Sequence, residues 1–155
     1  MGYELRAVIA GEELLRTIAR DLSAADTALG QGFSLMPMTD DLFDSVTSGD
    51  SGRVLGFWGL PGRFDQRLAE WSAAGPVAFV EADYFGGVGE QRAAVWDGGA
   101  LELGPLGISE GQRFPADGSP ISQALRRLGV AASGGGDEFD AVRLGRHRRC
   151  EDWAG

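Results

Sequence analysis

VAFVEADYFGGVGEQRAAVWDGGALEL, residues 77–103, decides the fold. Residues 77–85, VAFVEADYF, are rich in aromatic and β-branched side chains and predict the strongest strand of the chain. QRAAVWD, residues 91–97, predicts the next strand, and Gly98-Gly99 leads into ALEL at 100–103. Connections this short join antiparallel neighbours, so the centre of the chain is a meander of two or three strands.

The cluster Gly86-Gly87-Val88-Gly89 raises the question of a phosphate cradle. A Walker loop ends in Gly-Lys-Ser/Thr and opens a helix, but the basic residues of this chain are all arginine. A dinucleotide fingerprint also needs a helix after its glycines, and here a strand follows. The glycines therefore read as a hairpin loop or bulge that needs positive φ.

Working outward, residues 3–10 predict an opening strand and residues 12–22 a helix, with Leu14, Leu15, Ile18 and Leu22 on one face. FSLMPM, 33–38, predicts a second strand that Pro37 confines to a sheet edge or strand end. Thr39-Asp40-Asp41 caps a short helix, SGDSG at 48–52 is a loop, and RVLGFW at 53–58 suggests a short strand. A helix follows Pro61 and runs to about Ala74. Residues 104–118 predict a long Gly- and Pro-rich loop, a rim for a binding surface. Ser119-Pro120 starts a helix that ends at Gly129, AASGGG at 131–136 is a linker, and residues 137–145 form a last short helix.

Together these elements predict an α+β domain, a mixed or largely antiparallel sheet with helices mainly on one face, spanning 1–155 as a single unit. Residues 145–155 are open to two readings. They form a loosely attached tail, or a segment pinned by its arginines on the acidic body with Trp153 as an apolar anchor.

The formal net charge is -9. It is segregated, with 10 Arg against 21 acids in residues 1–142 and 4 Arg against 2 acids in residues 143–155. An acidic body repels nucleic acid and attracts basic proteins. No apolar run reaches the length of a membrane helix, and the N-terminal residues lack signal-peptide features, so the expected location is the cytoplasm. A single cysteine, Cys150, excludes an intrachain disulfide. His147 lies three residues before it, a spacing that brings the two together on a helix but not on a frayed tail.

Glu81 and Asp83 form the best carboxylate pair, because residues two apart on a strand face the same side. Phe79 and Phe85 share that face. Such a pair can serve as acid and base or bind a divalent cation, yet one histidine and one cysteine offer no further ligand set, so neither a metal nor a cofactor is expected. Asp40, Asp41 and Asp44, with Asp50 beyond, form a second acidic edge.

EADYFGGVGEQRAAVW at 81–96 and LGRHRRCEDW at 144–153 resemble a family of small uncharacterised bacterial proteins. The resemblance runs along most of the chain and implies no activity and no site residue. The leading expectation is a small acidic protein-binding module, more in keeping with a non-enzyme. It would neutralise or escort a basic partner, as an immunity or inhibitor protein does, through Asp40, Asp41, Asp44, Glu81 and Asp83. The alternative is a small-molecule binder or enzyme whose site joins Glu81, Asp83, Tyr84, Glu90 and Gln91 to the 104–118 loop. An oligomeric structural module is the third.

Overall fold

In a computed structural model, which describes residues 2–46, 55–85, 88–132 and 134–154, six strands form one sheet. They are β1 (Gly2–Gly11), β2 (Thr27–Gly30), β3 (Phe33–Pro37), β4 (Val77–Phe85), β5 (Val88–Asp97) and β6 (Ala100–Ile108). Their order is β2-β3-β1-β4-β5-β6, and every neighbouring pair is antiparallel. The helices are α1 (Glu12–Leu22), α2 (Asp40–Val46), α3 (Phe64–Trp71), α4 (Pro120–Leu128) and α5 (Glu138–Ala141). Short 3-10 turns follow at Ser72–Ala74, Leu144–Arg146 and Cys150–Ala154. This is the expected α+β class with an antiparallel sheet.

The helices do not gather on one face. On the front of the sheet, α1, α2 and α3 pack Leu15, Ile18, Leu42, Phe64 and Leu68 against Val8, Phe79 and Ala94. On the back, α4 and the C-terminal segment pack Ile121, Leu125, Val142 and Trp153 against Ile9, Val80 and Val95. The reason is written in the strands. Residues 7–10, 77–80 and 93–96 are continuous apolar runs, and a strand buried on both faces needs such a run where a half-exposed strand alternates. These three runs lie side by side in register, Val8 beside Phe79 and Phe79 beside Ala94. The sheet therefore has a dry end, sealed on both faces, and a wet end made of residues 2–6, 81–85 and 88–92.

Local chemistry sets the element bounds. α4 starts where the Ser119 hydroxyl accepts the Ser122 N–H at 3.1 Å, with Pro120 at the first helical position. It ends at Gly129, whose φ of 116° suits glycine. α1 begins with Glu12 and Glu13 in its first turn. At the β5–β6 turn Gly98 and Gly99 both have positive φ, and Asp97 pairs with Ala100 across them.

Three expectations differ. Residues 55–58 form a turn, with Leu55 at φ 54° and Gly56 at φ 80°; the first two residues of the suggested strand, and the SGDSG loop, lie outside the described residues. β2, a four-residue edge strand at Thr27–Gly30, forms in a stretch for which no element was expected. β6 runs on to Ile108, so the long loop begins later than residue 104. A bulge opposite Ala93–Val95 accommodates Gly104 and Pro105 within that edge strand, and a second opposite Val95–Trp96 accommodates Glu102.

Candidate functional site

The front face of the wet end is built in cross-strand rows. Nearest the core lies the row Arg6–Glu81–Arg92, then Glu4–Asp83–Glu90, then Gly2–Phe85–Val88 at the tip. Each row spans β1, β4 and β5 in direct register.

Glu81 is fully buried, at 0% exposure. The segment 57–60 folds over it, and its carboxylate accepts the Trp58 N–H at 2.9 Å and the Gly59 N–H. The guanidinium groups of Arg6 and Arg92 attract the same charge from either side. Burial nevertheless pushes the Glu81 carboxyl above the ordinary range, against the opposing pull of those amides and arginines. Arg92 is spoken for elsewhere too: its Nε donates to the Gly56 carbonyl at 2.7 Å, and its guanidinium lies 4.9 Å from the Trp58 ring centroid. Gly59 lets the Arg6 side chain lie close against the segment, where a Cβ would crowd it. This row is a structural clasp that ties the 56–60 segment to the sheet.

The next row is different in kind. Glu4, Asp83 and Glu90 put three carboxylates directly opposite one another, an arrangement that costs stability in an antiparallel sheet. Among the described residues no ion pair involves any of them. Asp83 is exposed, Glu4 and Glu90 half-buried. Beyond the row, Phe85 is 78% and Val88 47% exposed. Gly89 allows the close approach of β4 and β5 here, because a Cβ would strike the Asp83 carbonyl. Phe85 pairs with Val88; Gly86 and Gly87 between them lie outside the described residues. A strand follows Gly89, which is incompatible with a dinucleotide-binding helix.

The expected partner-binding residues fall into distinct settings. Asp40, Asp41 and Asp44 are exposed on α2, and Asp40 sits 3.6 Å from Arg6, one row from the carboxylates. Asp83 lies in the open row, whereas Glu81, being buried, is unable to meet a partner. Asp50 lies outside the described residues. The alternative ligand set is divided by the pleat of the sheet. Glu81, Asp83 and Glu90 project to the front. Tyr84 and Gln91 project to the back, where Gly111, Gln112 and Phe114 of the long loop join Tyr84 around a cavity of about 270 Å³. Among the described residues no group of three or more His, Cys, Asp or Glu is arranged to hold a metal ion.

Cys150 and His147 do not form a dyad. The Cys150 thiol is buried and donates to the Arg6 carbonyl at 3.3 Å, and burial raises its pKa. His147 instead packs edge-on against Trp153, with centroids 4.7 Å apart. The C-terminal segment is built into the body. Trp153 is 2% exposed, its carbonyl accepts the Thr27 hydroxyl at 2.8 Å, and the Arg148 carbonyl accepts the Glu4 N–H at 2.8 Å. Arg146 bonds the Leu29 and Val142 carbonyls, each at 3.0 Å, where an ion pair with the acidic body was the expectation.

Sequence reasoning missed Arg6, Arg92 and Glu4, because their roles depend on strand register. The opposite-charge row had one local trace, the polar residues Arg6, Glu81 and Arg92 each standing at the border of an apolar run. No helix among the described residues is long and apolar enough to cross a membrane. No family model, curated protein or solved structure matches the chain, so nothing from those comparisons bears on the resemblance read from residues 81–96 and 144–153.

Proposed function

We propose that this protein is a binding module for a basic protein partner, received on the open front face of the wet end of its sheet. The observation that carries the reading is the row Glu4–Asp83–Glu90: three carboxylates in direct register, with no cationic partner among the described residues and two exposed apolar side chains beside them. A row of like charge costs stability when the protein is alone and is relieved when a cationic side chain enters it. Phe85 and Val88 supply the apolar contact that such an entry needs to hold. Exposed Asp40, Asp41 and Asp44 on α2, together with the net charge of -9, extend the same field and speed the encounter. An immunity or inhibitor role against a basic enzyme is the biological form that suits a small domain with this surface.

The test is capture by the immobilised protein from lysate, set beside Asp83→Lys/Glu90→Lys and a control reversal, Asp26→Lys, at an exposed position outside the row. The expected result is a basic protein retained at low salt, released as salt rises, and bound about tenfold or more weakly by the double variant alone. Equal capture by all three proteins would reject this face as the binding surface.

A further inference from the structure

The back of the wet end carries a second opening, independent of the acidic row. Tyr84 lines three adjoining cavities there. One of them, about 310 Å³, is walled by Tyr3, Tyr84, Gln91, Phe139 and Arg148. Its volume lies at the lower end of small-molecule sites. Tyr3 and Phe139 pack edge to face with centroids 5.7 Å apart, and Tyr3 is anchored by donating to the Leu144 carbonyl at 2.8 Å. The wall is thus aromatic and fixed before any ligand arrives.

Two polar groups remain unspent. Gln91 accepts the Ile121 N–H through its Oε1 at 3.1 Å, so that oxygen is already engaged. The Tyr84 hydroxyl is buried and finds no acceptor for its own proton among the described residues. A buried hydroxyl in this position costs stability until an acceptor arrives. Arg148 is exposed at the mouth, its carbonyl tied to β1 but its guanidinium in no ion pair among the described residues. Glu4 and Asp83 border the neighbouring groove, which Arg148 and Arg149 also line, so the charge at the mouth is balanced and not simply acidic.

We infer that this cavity binds a small aromatic carboxylate, its ring held among Tyr3, Tyr84 and Phe139, and its carboxylate taking the Tyr84 hydroxyl proton as a hydrogen bond and the Arg148 guanidinium as counter-charge. The site shares no side chain with the Glu4–Asp83–Glu90 row and stands whether or not a protein docks on the front.

Benzoate is the probe, titrated into isotope-labelled protein and followed by amide chemical shifts, with benzyl alcohol as the ring without the charge. Tyr84→Phe removes only the hydroxyl, and Arg148→Ala alters an exposed side chain, so both variants keep the fold. The expected result is saturable shifts at Tyr84, Gln91 and Arg148 with a Kd of about 1 mM or tighter, weakened about tenfold in each variant and absent with benzyl alcohol. No saturation by about 10 mM benzoate would overturn the assignment, as would equal binding by both variants or by the alcohol.

Discussion

Glu81 sits where β4 passes from its dry end to its wet end, and its carboxylate serves four neighbours at once: two amides of the 57–60 segment and two arginines. Removing it strands the two amides and takes a counter-charge from both arginines, which keep Asp40 and the Gly56 carbonyl as partners. Glu81→Ala is expected to cost about 3–5 kcal/mol in urea unfolding, because buried donors and charges lose their partner together. Glu81→Gln keeps one acceptor and is expected to cost less. The pH dependence has a definite sign. A carboxyl raised by burial holds its proton more tightly folded than unfolded, so its contribution is fully present below the ordinary carboxylate range and falls as pH rises toward the raised folded value. The stability of the wild type relative to Glu81→Gln should therefore decline across that window and then level; a relative gain with rising pH would contradict the burial argument. Read on the sequence alone, Glu81 looks like half of a surface pair with Asp83, since strand periodicity puts both on one face. Periodicity gives the face but not what covers it, and the covering segment is remote in the chain.

At the scale of the element, the sheet must end somewhere, and each exposed edge is blunted differently. β6 carries Pro105, which lacks an N–H to offer, and two bulges that interrupt its ladder. β2 is guarded from outside by Arg146, whose guanidinium bonds the Leu29 carbonyl at 3.0 Å and lies over the Trp153 ring at 5.3 Å. Arg146→Ala should cost about 1–2 kcal/mol through lost charge-assisted bonds and stacking. It should also raise self-association in sedimentation at high concentration, since the freed carbonyls invite another strand; a variant that stays as stable and as dispersed would assign the edge another guard. Helix bounds were legible where the signal is local: α1 from its acidic first turn and apolar stripe, α4 from Ser119, Pro120 and Gly129. β2 was not, because Thr27–Gly30 has no strand pattern of its own and exists through its pairing with β3 and its bond to Trp153.

Across the whole molecule, the division into dry and wet ends organises both stability and binding. Amide exchange should be slowest at residues 7–10, 77–80 and 93–96, where both faces are covered, and at least about 100-fold faster along β2 and β6. Uniform protection would mean that the sheet opens only as one unit. The coverage of both faces was available in the sequence as AVIA, VAFV and AAVW, three unbroken apolar runs, yet the alternation at their wet ends suggested one open face for the entire sheet. The candidate surface was half legible for the same reason: Asp83 lies where alternation put it, with Glu90 already grouped beside it, while Glu4 became a neighbour only through register. One feature reaches beyond the folded state. β1 pairs with β4 along one edge and with β3 over residues 7–11 of the other, and the rest of that second edge is closed by the Arg148 carbonyl and the Cys150 thiol, which meet Glu4 and Arg6. During synthesis β1 therefore emerges long before the segment that completes it, and stays unfinished until Trp153 has emerged. Translation order makes residues 148–153 the latch on β1.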